Sequence, residues 1–275
     1  MTTSRDDATV SWSQAMYAND PALLAVRAAT LRALHHAPEP LVLPNAWDAA
    51  SARMVAEAGF PAVATTSSGV AACLGWEDGE QTPPVEMFAA IARIARVVAV
   101  PVTADLEGGY GLGAEEFVAR LLATGAVGCN IEDTDRSGQG ILRDPDGQAE
   151  YLAAVKRASR AAGVDIVVNA RIDVFVRHFG EPTACVTEAI RRARIYLEAG
   201  ADCVYPIFVR EETAIVALVA GISGPVNILA LPDGPSLARL GELGVARISF
   251  AGRLHRAALA AHQRCVQAIR SGEEM

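Results

Sequence analysis

Five times along this chain the same phrase recurs: an alanine-rich run, a glycine, then an unbroken apolar stretch. It reads AEAGFPAV at 56–63, LATGAVGCNI at 122–131, RAAGVDIVV at 160–168, LEAGADCVY at 197–205 and GELGVARISF at 241–250. A glycine just past a helix end takes the left-handed backbone that closes the last turn, so each phrase reads as a helix end followed by a strand. The strands are continuous apolar runs and do not alternate, which marks parallel strands covered on both faces. Eight are expected, near 41–45, 61–66, 100–106, 126–132, 165–171, 202–207, 225–230 and 245–249, each followed by a helix. Eight βα units in succession predict a (β/α)8 barrel of the TIM type. An open doubly wound sheet is the alternative, but no GxGxxG opens a helix after any strand.

The 275 residues suffice for one such domain, and no linker suggests a second. Residues 1–37 read as a polar N-terminal extension and a helix that Asp20-Pro21 opens and Pro38-Glu39-Pro40 ends. Residues 38–275 read as the catalytic barrel with a C-terminal helix. The net charge of −8 argues against nucleic acid or an anionic membrane as partner. No apolar run approaches the roughly 20 residues that span a bilayer, and the first residues, MTTSRDDATVSW, lack the apolar segment of a secretion signal. Five cysteines without a CxxC suit a reducing cytoplasm.

In a barrel the chemistry sits where the strands end at their C-termini. Those ends carry Asn45 and Asp48, Thr65 to Gly69, Asp105 and Glu107, Asn130 and Glu132, Asn169 and Arg171, Tyr205, and Ser249. The run Pro101–Gly111, PVTADLEGGYG, is the most telling: an apolar strand stops on two carboxylates, Asp105 and Glu107, and a glycine-rich turn. Acids at i and i+2 of a strand point to one side. The pair Glu132-Asp133 ends the next strand, and Asp78 follows the second. Carboxylates at successive strand ends suit a hard, oxygen-ligated cation such as Mg²⁺, with Mn²⁺ as the alternative.

Those residues carry a resemblance. The chain resembles the isocitrate lyase/phosphoenolpyruvate mutase superfamily from about Leu41 to Arg270, through LPNAWDAASARMVAEAGF, TTSSGVAACLGWEDGE, ADLEGGYG, NIED and NARIDVF. The resemblance implies a Mg²⁺-dependent enzyme acting on 2-oxo acids or related carboxylates through an enolate whose oxygens the metal holds. It implies Asp105 as the direct metal ligand, with Asp78, Glu107 and Glu132 holding the ion largely through water. It implies Thr66, Ser67 and Ser68 as binders of the substrate carboxylate and Arg171 as the arginine facing its anionic end. Asn45 and Asp48, at the first strand end, join the substrate-binding candidates, and Arg171, Glu132, Arg136 and Arg143 the catalytic ones. It further implies that the last helix, Arg253 to Arg270, is exchanged between subunits of a dimer, with dimers pairing into a homotetramer.

The chain also departs from that family. Its loop after the fourth strand, Asp133 to Asp144, has no Cys, Lys or His, where isocitrate and methylisocitrate lyases carry an acid/base cysteine. The Lys and Asn-Ser of the phosphonomutases are missing too, and Glu107 stands where the family has Asp. The loop is therefore expected to act as a lid over 134–143, with Gly138 and Gly140 as its flexible points and Arg136 or Arg143 clamping an outer carboxylate. His178, an available proton donor by its position, reads first as an exposed loop histidine, Cys73 as a packed small residue near the site, and Cys129 as a core residue. The expected activity is C–C cleavage of a small 2-oxo or hydroxy acid, by aldol-type cleavage or decarboxylation. P–C chemistry, as mutase or phosphonopyruvate hydrolase, is the rival enzyme reading, and a catalytically silent barrel that kept its metal site is the rival from another class.

Overall fold

The computed structural model describes residues 20–136, 140–177 and 180–272. In chain order it runs α1 (Pro21–Leu34), β1 (Leu41–Leu43), β2 (Asn45–Ala46), α2 (Ala49–Glu57), β3 (Val63–Thr65), α3 (Ser67–Leu74) and α4 (Pro84–Ala95). There follow β4 (Val102–Asp105), α5 (Ala114–Thr124), β5 (Gly128–Glu132), α6 (Pro145–Ala161), β6 (Val167–Ile172) and α7 (Pro182–Glu198). The chain ends with β7 (Cys203–Pro206), α8 (Glu212–Gly221), β8 (Asn227–Leu229), α9 (Leu237–Glu242), β9 (Arg247–Ser249) and α10 (Arg253–Ser271). All the strand pairs are parallel.

Two arcs of strands, β2-β3-β4-β5-β6-β7 and β1-β9-β8, make up the sheet. They meet at two seams. A parallel bridge between Val204 and Val226 joins β7 to the start of the β8 strand. At the other seam β1 and β2 are one run broken at Pro44, pairing first with β9 and then with β3. Proline has no N–H to give to either neighbour. The Asn45 side chain spans the break: Nδ2 donates to the Thr65 carbonyl at 2.7 Å, and Oδ1 accepts from the Phe250 N–H at 2.8 Å. The ring of eight strand positions is the expected (β/α)8 barrel. Its first strand, read as continuous over 41–45, is instead two short pieces, because the proline ends one ladder before the next begins.

The recurring glycines do what their spacing required. Gly59, Gly125, Gly163, Gly200 and Gly244 have φ of +88°, +87°, +79°, +101° and +83°, the left-handed region that ends a helix with little steric cost only for glycine. Asp20 caps α1 as expected, accepting from the Ala22 N–H, and Asp144 caps α6 in the same way through the Gly147 N–H. Helix α4 starts on Pro84, with Pro83 at its cap position.

Helix α1 lies across the N-terminal end of the barrel, ahead of Leu41, where the resemblance begins. Leu24, Ala28 and Leu31 are buried in the main core. The space next to Gly128 on β5 is filled by Leu31, whose Cδ2 would stand 2.7 Å from a β-carbon at that position. Arg32 ties the helix down through Asp202 at 2.7 Å, and Lys156 holds the same carboxylate at 3.0 Å. The barrel floor therefore depends on a helix outside the eightfold repeat. Leu31→Ala should lower the unfolding free energy by about 2–5 kcal/mol, the cost of a cavity at a site walled by rigid strands. Urea denaturation monitored by circular dichroism checks this, and a loss under about 1 kcal/mol would show that α1 is not part of the core.

Candidate active site

A cavity of about 200 Å³ opens at the C-terminal ends of the strands. Asn45, Thr66, Ser67, Ser68, Asp78, Asp105, Asn130 and Arg171 line one part of it, and Tyr205 and Ser249 stand on the other side. The strand ends that the sequence singled out thus converge on one place.

Asp105, the last residue of β4, is held firmly. Its Oδ2 accepts both the Ser67 N–H at 3.0 Å and the Ser67 hydroxyl at 2.9 Å, while its own N–H donates to Thr65 Oγ1 at 2.9 Å. The first turn of α3 therefore clamps the carboxylate, as helix N-termini hold anions. Ser67 serves Asp105 first, which leaves Ser68 and Thr66, whose hydroxyls lie 3.1 Å apart, facing the cavity. Asn130 Nδ2 reaches Asp105 Oδ1 at 3.4 Å, and beneath it the fully buried Arg247 donates to Asn130 Oδ1 at 3.4 Å. Asp78 also lines the cavity, and burial, then the nearby Asp105, raise its carboxyl above the usual range.

Glu107 and Glu132 stand behind this pair. Glu107 adopts φ +49°, unusual for a residue with a β-carbon. Its carboxylate is fixed by the Glu80 N–H at 2.6 Å and the Tyr110 hydroxyl at 2.8 Å. Burial, and after it Asp78, push its pKa up to about 8. Glu132 binds Arg136, whose Nη2 lies 2.6 Å from Oε1, and Arg171, whose Nη1 lies 2.7 Å from Oε2 without the angle of a good hydrogen bond. Burial raises its carboxyl while Arg171 holds it down. Arg171 is itself gripped by Asp173, through Nε at 2.7 Å and Nη2 at 3.2 Å. Burial opposes its charge, but Asp173 and Glu132 raise its pKa well above the usual arginine value. It lines the cavity as a fixed cation.

Three candidates have other partners. Asp48 accepts from the N–H and hydroxyl of Ser51, both at 2.7 Å, in a capping box that starts α2, so its carboxylate is a helix cap. Arg143 donates to the Gly108 carbonyl at 3.2 Å and to Gln148 Oε1 at 3.1 Å, and does not line the cavity. Asp133 turns away from Glu132, as adjacent strand residues must, to meet Arg192 at 3.0 Å and the Tyr196 hydroxyl at 2.8 Å. The loop that follows is a narrow antiparallel pair, Thr134 bridging to Leu142 and the Asp135 N–H donating to the Ile141 carbonyl at 2.8 Å. The tip at 137–139, which includes Gly138, and His178 lie outside the described residues. Cys129 is fully buried in the core, as expected, whereas Cys73 is exposed and not packed, its Sγ 3.9 Å from His255 Nε2, and does not line the mouth. Sequence reasoning missed the apolar lining from Ile207, Phe208, Leu229 and Leu231, and Arg253 and Arg256 from the first turn of α10.

The donor set fits a small hard cation. Among the described residues no three Asp, Glu, His or Cys groups converge closely enough to ligate one ion together. Asp105 and Asp78 nonetheless present carboxylates to one cavity, and burial and then Asp105 raise the pKa of Asp78. That suits Mg²⁺, which keeps several waters and takes few protein ligands. Burial of these acids, together with their mutual repulsion, has a consequence for stability without metal. The Glu107 pKa in the folded protein, about 8, lies above its unfolded value, so the folded state keeps a proton that the unfolded state releases. That contribution is fully present below the unfolded pKa and is lost as pH rises towards 8. In EDTA, urea denaturation should show the wild type losing stability between about pH 5 and pH 8 more steeply than Glu107→Gln. Equal slopes would contradict the buried, charge-crowded placement of Glu107.

With this geometry in place, comparisons with known proteins agree. The family model for phosphoenolpyruvate phosphomutase matches residues 31–270. An uncharacterized protein of Mycobacterium tuberculosis strain H37Rv is 34% identical over 243 residues, covering 88% of this chain and 89% of its own. An oxaloacetate decarboxylase of Rhodopseudomonas palustris strain BisB5 is 29% identical over 239 residues, covering 83% of this chain and 79% of its own. The crystal structure of a Burkholderia cenocepacia J2315 protein thought to be a phosphonomutase superposes with a TM-score of 0.83 at 43% identity, over 88% of this chain and 99% of that one. The chain belongs to the phosphoenolpyruvate phosphomutase family, within the isocitrate lyase/phosphoenolpyruvate mutase superfamily.

Proposed function

We propose that this protein is a Mg²⁺-dependent lyase that cleaves a C–C bond one carbon away from the carbonyl of a small 2-oxo or 2-hydroxy acid. The observation that carries this reading is the pairing of Asp105 and Asp78 with a locked Arg171 around one cavity. Asp105 and Asp78 would hold the ion, with Glu107 and Glu132 behind them. When bound, the cation supplies stabilisation of the negative charge that gathers on a substrate carbonyl oxygen as the bond breaks. The chain's own residues then have distinct tasks. Ser67 fixes Asp105, and Ser68 and Thr66 offer hydroxyls to a substrate carboxylate. Arg171 brings an always-charged fork whose orientation Asp173 and Glu132 set in advance, so little entropy is lost on binding an anion. Arg136, paired with Glu132, joins the loop after β5 to the same cluster. No acid/base cysteine stands in that loop, so the proton that completes the reaction comes from water or from another element.

The family name favours one second reading, P–C chemistry on a phosphonate. Incubation with a panel of 2-oxo and 2-hydroxy acids, oxaloacetate among them, and with phosphonopyruvate followed by ³¹P NMR separates the two. Metal-dependent cleavage of a carboxylate with an unchanged phosphorus spectrum is expected. Asp105→Ala should lower kcat/KM by at least 100-fold and weaken Mn²⁺ binding seen by calorimetry, while circular dichroism shows the fold retained. Full activity of this variant in EDTA would end the metal mechanism.

We further propose a homo-oligomer, a dimer of dimers, in the reducing cytoplasm, where the five unpaired thiols are stable. Among the described residues no helix is long and apolar enough to cross a membrane. The support for assembly is α10, in which His255 is buried while Leu254, Leu259, Val266 and Ile269 are exposed along a 19-residue helix. Such an apolar stripe is stabilised by a second copy. Light scattering at micromolar concentration should give the tetramer mass; a monomer would refute it.

A further inference from the structure

Five residues with hydroxyl groups line the cavity, and four of them already use those groups. Ser67 is committed to Asp105, Thr66 and Ser68 share a bond, and Ser249 Oγ donates to Asn227 Oδ1 at 3.0 Å. The fifth, the phenol of Tyr205, is buried and meets no hydrogen-bond partner among the described residues. A buried hydroxyl without a partner is destabilising, so in a native fold it marks an ordered water or a group kept for a ligand or a reaction. Tyr205 on β7 is the register partner of Arg171 on β6. Register partners project to the same face of a sheet, which sets the phenol beside the guanidinium inside the barrel. Strands β5 and β6 lie between Tyr205 and Asp105 on β4, so the phenol enters the cavity apart from the acids. Its ring packs with Ile207 and Leu229, and Val176, Leu231 and Ala251 close around them. That apolar setting keeps the hydroxyl out of bulk water.

Resting on the lyase reading above, we propose that Tyr205 is the catalytic acid: its phenol protonates carbon 3 of the 2-oxo-acid enolate left when the C–C bond breaks. The other groups of the mouth are unsuited. Asp78 and Asp105 would hold the cation, and carboxylates that ligate a metal are ionised. Arg171, Arg253 and Arg256 keep their protons at any working pH. Burial, opposed by Arg171 and aided by Asp105, raises the Tyr205 pKa, so the phenol enters each turnover protonated. As the enolate electron pair returns to carbon 3, a C–H bond forms with the phenol proton, and the O–H pair stays on the phenolate oxygen. Arg171, next to it in the ladder, carries the compensating charge. Water then returns a proton to the phenolate as product leaves. Solvent thus supplies the proton that carbon 3 gains, and nothing is oxidised or reduced. Run backwards, the same step exchanges the carbon-3 hydrogens of a bound 2-oxo acid with solvent while no C–C bond breaks.

The test incubates the protein with pyruvate and Mg²⁺ in D₂O and follows loss of the methyl signal by ¹H NMR, with calorimetry of pyruvate and Mn²⁺ binding alongside. The wild type should exchange the methyl hydrogens. Tyr205→Phe, which keeps the ring, should exchange them at least about 100-fold more slowly, the scale of a lost general acid. Both affinities should be unchanged, and the melting temperature should hold or rise, because an unpartnered hydroxyl is removed. Exchange by the variant at the wild-type rate would overturn the proposal, and a fallen melting temperature beside it would assign the hydroxyl to a buried water. A loss of pyruvate affinity as large as the loss of exchange would overturn it too, by making the phenol a binding group. A wild type that cleaves a 2-oxo acid of the panel yet exchanges no pyruvate would overturn the proposal and leave the lyase reading intact. A wild type that binds no Mn²⁺ and cleaves no acid would end both.

Discussion

Like charges gathered in one barrel mouth are the constraint around which the rest of this structure is arranged. Burial first, and with it Asp105, raise the carboxyl pKa of Asp78, Glu107 and Glu132, and Asp78 and Glu132 add to the rise at Glu107. At about 4 Å and an effective dielectric near 20, a pair of unit charges is worth about 4 kcal/mol, a large part of a domain's net stability. The chain counters this in two ways. Backbone and hydroxyl donors hold the acids in place, Ser67 on Asp105 and Glu80 with Tyr110 on Glu107. Arg171 and Arg136 neutralise Glu132. The cluster therefore keeps its shape through its own scaffold, and a cation has only to enter it.

Much of this was legible in the chain because the signals are local. The five glycine junctions, the Asp-Pro caps and the apolar strands obey short-range rules, and the backbone follows them. The convergence of Asp105, Asn130, Arg171 and Tyr205 follows from the barrel rule once the strands are placed. What stayed hidden is the choice of partner. Asp48 stands three residues before Ser51, a spacing that fits a helix cap as well as a strand-end ligand, and the cap prevails because Ser51 is adjacent in the chain. Arg143 faces Gly108, where glycine leaves room for its guanidinium: a β-carbon there would stand 2.9 Å from Nη2. Ile207, Leu229 and Leu231 look in sequence like any core residues, and only closure of the ring reveals that they face a cavity. The break at Pro44 was visible as a proline, but its effect depends on strands nearly at the other end of the chain.

That break sets the order in which the molecule can become complete. Asn45, which fastens the seam, bonds to Phe250, 205 residues away in sequence. Closing so long a loop carries an entropic cost that no earlier contact offsets, and contacts of this range form late in folding. A chain emerging from the ribosome has made its acidic strand ends well before the ninth strand segment exists. Until β9 arrives, β1 offers an unpaired edge, and Asn45 and Ser249, which line the same mouth, are not yet neighbours. The pocket is thus finished in the same event that seals the cylinder, and no half-built chain can hold a substrate between its two sides.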